Sequence, residues 1–246
     1  MKNRLMTGLG NISVKELRLD MVKKEDVLMP LVQGFARRVY RKRYGANLNT
    51  FCKELLTLIS NRYGVLSCVG INTHESGRFF LEQYLDRPVE EEISGCIGED
   101  IKREEIVEVG TMAVLQGGLC RLMMAGLAGY LTQNGKRFIV CTAVQSISNT
   151  FSNFKIPFYT IKKADRDRLK EGAADWGNYY DSQPHVIFID LKMCLKEIEN
   201  VLGNVDMGLS DDMSILIKDM FIRGMNLAEV EGYEKEEALK CSCGML

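Results

Sequence analysis

Residues 105–143 hold the groups best suited to chemistry. Glu108 stands among apolar residues in EIVEVGTMAV, and the LQGGL that follows brings Gly117 and Gly118 to the start of an apolar-periodic run. Backbone N–H groups at a helix start lack partners and carry partial positive charge, so such a turn suits a phosphate or an oxyanion. A carboxylate on the strand leading into that turn points to acyl transfer. Aminolysis of a thioester needs a base for the amine, stabilisation of the carbonyl oxygen, and alignment. Glu108 would be the base, its pKa lifted by apolar surroundings. Backbone N–H groups of strand 108–114, around Met112 and Val114, would polarise the carbonyl. The competing reading pairs Glu108 with a neighbouring Arg or Lys at the sheet edge.

Other residues are candidates for the same cleft. Glu82 lies in RFFLEQYL, which alternates like a strand, and would face the cleft or solvent. Tyr179 and Tyr180 follow Trp176-Gly177 closely. A phenol can protonate a leaving thiolate, and the same aromatics can equally close a core. Trp176 would wall an acyl pocket, with Phe35 and Tyr40 as further substrate contacts. Arg37, Arg38, Arg41, Lys42 and Arg43 crowd onto one helical segment. Such a cluster is either a solvated face or a dock for an acidic acyl carrier protein.

Composition narrows the classes. The chain has 246 residues, 46% of them hydrophobic, and a formal net charge of −1. That size allows one large domain. The charge balance of the whole chain argues against nucleic acid. Only two histidines occur, far apart, which disfavours a zinc enzyme or a histidine triad. Of eight cysteines, Cys68, Cys96, Cys120, Cys141 and Cys194 sit in apolar segments and read as free thiols; Cys241 and Cys243 form only a weak metal motif. No metal and no tightly bound cofactor are expected. The closing Cys243-Gly-Met-Leu fits a prenylation box but lacks a polybasic run before it. No apolar run reaches the roughly 18–20 residues of a membrane span, and the first residues lack a secretory core. A cytoplasmic protein without stable membrane insertion is expected.

The elements that must position these groups follow from periodicity. Residues 1–24 read as irregular with a short strand at SVKELRL. Helices are expected from Asp26 and over 48–60. Strands are expected at 64–72 and 78–85 as a hairpin, then a short helix in DRPVEEEISGCIGED, and a strand over 105–114. The glycine turn opens a helix with Leu119, Leu122, Met123, Gly126, Leu127, Tyr130 and Leu131 on one face, ended by Gly135. RFIVCTA, FYTIK and HVIFIDL read as strands, with helices at 144–156, 192–202 and 211–222. The sum is an α/β fold with a mixed, mostly antiparallel sheet. One domain over 1–203 is expected, then a C-terminal helix and loose tail over 204–246. GxGxxG and GxSxG are both missing from the sequence, against a Rossmann enzyme or a serine hydrolase.

This order resembles the GCN5-related N-acetyltransferase (GNAT) fold, in which the strand before the glycine turn leads to a helix start that holds the donor's pyrophosphate. The stretch here is Gln116-Gly117-Gly118-Leu119-Cys120-Arg121, spaced differently from the GNAT loop. The resemblance implies donor contacts from Gln116, Gly117, Gly118 and Arg121. Asn149 and Asn153, on the helix after Ala143, would contact a pantetheine arm or simply be exposed. A closer resemblance is to the thermostable hemolysin family. It is carried by Phe80-Leu-Glu-Gln-Tyr-Leu-Asp-Arg-Pro-Val-Glu, Ile106-Val-Glu-Val-Gly-Thr-Met-Ala, and Ala164-Asp165 followed by Asp175-Trp-Gly-Asn-Tyr-Tyr. That family is similar to GNAT enzymes and to acyl-homoserine-lactone synthases, whose Glu-x-x-Arg strand is matched by Glu108, with Thr111 in place of the arginine. The implied activity is transfer of an acyl group from acyl-CoA or acyl carrier protein to a small amine, an amino-acid derivative. A non-catalytic binding protein on the same fold and a membrane-active factor are the alternatives.

Overall fold

In the computed structural model, residues 4–7, 10–13, 16–170, 172–202 and 211–227 are described. The chain runs β1 (Arg4–Thr7), β2 (Gly10–Ser13), β3 (Leu17–Lys23), α1 (Met29–Tyr44), β4 (Glu54–Ser60), β5 (Gly64–Thr73), α2 (Val89–Ile97), β6 (Ile106–Val114), α3 (Gly117–Gln133), β7 (Phe138–Ala143), α4 (Gln145–Asn153), β8 (Tyr159–Lys163), β9 (His185–Asp190), α5 (Leu191–Leu202) and α6 (Asp211–Met225). Among the described strands, β1 and β2 pair with each other and the other seven form one sheet in the order β3-β4-β5-β6-β7-β9-β8. Every pair in it is antiparallel except β6 and β7. This is the mostly antiparallel α/β sheet expected from the sequence.

Three segments differ from the periodic reading. The stretch read as irregular ahead of SVKELRL holds the paired strands β1 and β2. The helix expected over 48–60 is a loop followed by β4. Its Leu55 and Ile59 enter the core under α1, while Leu56 and Leu58 enter the core on the opposite face. A strand buried on both faces is apolar at nearly every position, so a four-residue spacing arises by accident. The strand expected over 78–85 is a 3-10 turn, Phe80–Gln83, so β5 has no hairpin partner there. Unpaired backbone donors need acceptors wherever they are buried. Here two carboxylates supply them: Glu82 accepts from the Phe79 amide at 2.9 Å, and Glu108 accepts from the amides of Phe80 and Leu81 at 3.0 and 2.8 Å. The expected strand in SVKELRL is β3, which starts at Leu17.

The sheet separates two layers. On one side α1 buries Val32, Phe35, Ala36 and Tyr40 against β4 and β5, and the 79–85 turn packs with α2 over Phe138, Val140 and Phe188. On the other side α3 packs with Leu56, Val107, Ile139 and Ile189, and α6 adds Leu216 and Met220. Helices α3 and α6 touch backbone to backbone. A Cβ placed on Gly224 would lie 2.0 Å from the Gly126 carbonyl oxygen, and one on Gly129 would lie 2.1 Å from that of Phe221. No side chain fits such gaps, so glycine at these positions sets the height of α6 on α3. The expected loose tail and its cysteines, Cys241 and Cys243, lie outside the described residues.

Candidate functional site

The β6–β7 pair makes the site. These strands pair only from Ile106↔Phe138 to Glu108↔Val140, and each then runs on. The other edge of β6 is also interrupted. Gly110 faces Gly70 and Ala113 faces Cys68, so Thr111 and Met112 together oppose one residue of β5. Thr111 holds φ at +47°. A β-branched residue at positive φ is strained by about 1–3 kcal/mol, and the bulge places that strain beside the opening. Thr111→Gly should therefore stabilise the fold by about 1 kcal/mol, measured by urea denaturation, since glycine relieves more strain here than its extra backbone entropy costs.

A cavity of about 370 Å³ passes through this opening. Register tells which face each wall belongs to. Glu108 shares a face with Val140 and Asn72, toward the 79–85 turn, whereas Val107 and Ile139 face α3. The first face contributes aromatic and polar walls: Tyr40, Phe51, Cys52, Asn72, Phe80, Tyr84, Trp176, Tyr179 and Tyr180. The α3 face contributes Met124, Leu127, Ala128, Ile139, Ile189, Leu191, Cys194 and Ile217. Glu108 and the bulge lie between them.

Glu108 is only 4% exposed. Its Oε2 accepts from Asn72 Nδ2 at 3.0 Å and from the Phe80 amide at 3.0 Å; Oε1 accepts from the Leu81 amide at 2.8 Å. Burial pushes its carboxyl above the usual carboxylate range, against those three hydrogen bonds, with a smaller push from the charge of Glu82. A carboxylate has about four lone-pair sites. Three are engaged, and Oε1 keeps one. Among the described residues no ion pair holds Glu108, in contrast to the sheet-edge pairing considered for it.

The aromatic wall is built by a close approach of two loops. Gly177 holds φ at +53°, and a Cβ there would lie 2.1 Å from the Tyr44 carbonyl oxygen at the end of α1. The same oxygen accepts from the Asn178 amide at 2.9 Å, and the Asn47 amide donates to Asp175 O at 2.6 Å. This clamp carries Trp176 against Phe80, Tyr179 and Tyr180. Tyr179 donates its hydroxyl to Thr142 O at 3.0 Å, at the rim of β7. The hydroxyls of Tyr84 and Tyr180 bond each other at 2.5 Å. Burial raises the phenol pKa of both, and Tyr180 is partly offset by its bond to Tyr84. Cys52 packs over Gly70 and Gly110. Burial, then the charge of Glu108, pushes its thiol up to about 12, so it stays a thiol at neutral pH.

Of the residues singled out from sequence, Glu108, Met112, Arg121, Tyr40, Asn153, Trp176, Tyr179 and Tyr180 line this cavity. The others stand elsewhere. Glu82 is not on a strand and does not reach the cleft; it sits in the turn with Arg103 Nη1 and Nη2 at 2.7 and 2.8 Å and the Val89 amide at 3.2 Å. Burial alone would raise its carboxyl, but the Arg103 guanidinium and the amides hold it below the usual range. Arg103→Ala should cost about 2–3 kcal/mol in a urea melt at neutral pH, because it strands a buried charge. The loss should shrink as pH falls through the depressed pKa of Glu82, where the carboxylate is neutralised in either protein. Phe35 is enclosed beneath α1. Val114 pairs with Ser67 beyond the bulge. Gln116, Gly117 and Gly118 open α3 on the exposed surface, and Asn149 accepts from Gln145 Nε2 on the outside of α4 at 2.8 Å. Arg37 turns inward, with Nε on Leu48 O at 3.1 Å and its guanidinium 4.8 Å from the Phe51 ring, whereas Arg38 and Arg41 are exposed. Sequence reasoning missed Asn72, Tyr84, Cys52 and Thr111 as a bulge, and placed Arg43 only in the basic cluster, whereas it lines the cavity and donates to Ser146 Oγ at 2.7 Å. The one available signal was for Tyr84, which lies in the Phe80–Leu85 stretch that carries the family resemblance.

The family model for thermostable hemolysin matches residues 22–195, well over half of the sequence. The chain belongs to the thermostable hemolysin family. All three family-resembling stretches fall around the cavity: the 80–90 turn and α2 start, strand β6, and the loop that carries Trp176 and the tyrosines. No curated protein matches the chain. Among solved structures it is similar to the AHL synthase LasI, with 16% identity, a TM-score of 0.49, and 71% of this chain covering 90% of that one. It is similar to the CoA-dependent acyl-homoserine lactone synthase BjaI, with 10% identity, a TM-score of 0.48, and 92% of this chain covering 99% of that one. It is also similar to FeeM, an N-acyl amino acid synthase from uncultured soil microbes, with 13% identity, a TM-score of 0.47, and 74% covering 95%. Among the described residues of this thermostable hemolysin family member, no helix is long and apolar enough to cross a membrane, and no cluster of three or more His, Cys, Asp or Glu could hold a metal.

Proposed function

We propose that this protein is an acyltransferase that moves an acyl group from a thioester to a small amine, an amino-acid derivative. The observation that carries the reading is the buried Glu108 carboxylate on a cavity lined from both faces of the sheet, beside an interrupted backbone ladder. The donor is acyl-CoA or acyl carrier protein. The amine approaches on the aromatic face, and the thioester carbonyl lies at the bulge. As the amine nitrogen bonds to the carbonyl carbon, its proton passes to the spare lone pair of Glu108 Oε1, directly or through a water. Backbone N–H groups around Thr111 and Met112 receive the developing oxyanion. The carbon–sulfur bond then breaks, and the thiolate takes a proton from the Tyr84–Tyr180 pair, which burial keeps protonated. The start of α3, from Gln116 to Gly118, with Arg121 one turn on, receives the donor phosphates. Arg38 and Arg41 are among the exposed cations of α1 and would receive an acidic carrier protein. The reading also takes the chain to work in the cytoplasm.

The test is thioester consumption by the purified protein, with acyl-CoA and acyl carrier protein donors across a panel of amines and amino acids. Release of free thiol that depends on a particular amine is expected. Donor binding without thiol release would instead favour a non-catalytic binding protein. One observation supports that second reading: the three donors on Glu108 also suffice to explain it as a pin for the 79–85 turn.

A further inference from the structure

We propose that the α3 side of the cavity measures the length of a linear acyl chain, and that Ile217 of α6 is the stop at its end. The inference rests on the acyl-donor reading and adds what sets donor length.

Among the described residues, three charged ones line the cavity: Arg43, Glu108 and Arg121. Arg43 and Glu108 belong to the α1 and turn side, and Arg121 lies in the first turns of α3. From Met124 onward the α3 and α5 walls are apolar or thiol, and Phe151 of α4 adds an aromatic ring to the same layer. Ile139 of β7 lies opposite Ile189 of β9, both toward α3, and Leu191 and Cys194 continue from the end of β9 into α5. Leu127 and Ala128 form the α3 wall. A polar group placed there would lose its hydrogen bonds to water without replacement, so the occupant is hydrocarbon. The paired strands β6 and β7 close the sheet side at Glu108 and Val140, so a chain entering at the bulge is directed along the α3 face.

Two independent features make Ile217 the stop. It is the one described residue of α6 that lines the cavity, on the helix that follows the family-matched segment 22–195. Its position is rigid, because the contacts between Gly126 and Gly224 and between Gly129 and Phe221 seat α6 directly on the α3 backbone. A side chain fixed in this way sets a sharp cutoff, where a loosely held one would give way to a longer chain.

The full-length protein provides its own reporter, since Trp176 is the only tryptophan and lines the cavity. Saturated straight-chain carboxylic acids of stepwise length are titrated against Trp176 emission. Affinity should rise about fourfold per methylene, the equivalent of roughly 0.8 kcal/mol of burial, up to a cutoff. Ile217→Ala should move that cutoff about two carbons longer and Ile217→Phe should move it shorter. Ile222→Ala, on the exposed side of α6, should leave it unchanged. If Ile217→Phe fails to fold, Ile217→Val should still lengthen the cutoff in the same direction as Ile217→Ala. A cutoff that stays put in the folded variants, or no binding of any acid, overturns the proposal. The same ladder run as acyl-CoA thioesters separates it from its parent. Consumption with an unmoved cutoff removes the ruler and keeps the transferase. A cutoff that moves for the acids with no thioester consumed removes the transferase and keeps the ruler.

Discussion

Glu108→Gln should lower amine-dependent thioester consumption by at least about 10²-fold, the usual contribution of a positioned base. The loss should appear in kcat and kcat/KM together, because proton acceptance occurs only in the transition state. The pH profile gives a second readout. Burial lifts the Glu108 carboxyl above the ordinary value of about 4.3, so the acid limb of kcat/KM should lie above that range, with rate rising as the carboxylate forms. The variant should lose that limb. The substitution also turns an acceptor into a donor opposite one of the Phe80, Leu81 or Asn72 donors, which should cost about 1–3 kcal/mol of stability. The linkage sign is opposite to that of Glu82. A carboxyl raised by folding adds stability that is complete below its unfolded pKa and is lost as pH rises through its folded pKa. Ionising Glu108 in the fold is therefore a cost, in keeping with a group retained for chemistry. Undiminished turnover in a Glu108→Gln protein that melts cooperatively would remove the base assignment.

Gly177→Ala should be among the most damaging single-methyl additions in the chain. The new carbon would sit 2.1 Å from the Tyr44 carbonyl oxygen and 2.8 Å from the Gly45 carbonyl carbon, both backbone atoms, at a φ of +53° that alanine rarely adopts. Backbone cannot move aside as a flexible side chain can, so we expect a loss of about 3 kcal/mol or more, combining overpacking with strain. The damage should be local as well as global. The clamp between 175–178 and the end of α1 would open and release Trp176 from Phe80, Tyr179 and Tyr180. Trp176 emission should shift to longer wavelength, and turnover should fall even at temperatures where the rest of the fold persists. An unchanged emission spectrum and melt would mean that the two loops are not held by this contact.

Much of the site was legible from residue type alone, and the reasons differ by residue. Glu108 could be found because a lone acid in an apolar strand is expensive unless something uses it. The α3 helix and the β6 and β7 strands could be found because their periodicities of 3.6 and 2 are local properties. Tyr179, Tyr180 and Trp176 could be found because three aromatics in five residues must pack together somewhere. Glu82 shows where that logic stops. It is also an acid in an apolar run, but its partner Arg103 lies 21 positions away, and nothing local distinguishes an acid neutralised by a distant guanidinium from one left for chemistry. The same holds for 48–60, where burial on both faces erased the alternation that marks a strand.

From its own order, then, the chain determined which segments are helices and strands over most of its length, the sheet class, and the acid, glycines and aromatics from which a site can be made. Those depend on neighbours a few residues away. Tertiary structure alone decided that β6 and β7 part after Glu108, that Thr111 bulges into the gap, that Tyr84 joins Tyr180, and that α6 brings Ile217 to the cavity wall. Each of these arises from contacts between segments tens of residues apart, whose meeting depends on packing the whole sheet rather than on any local preference.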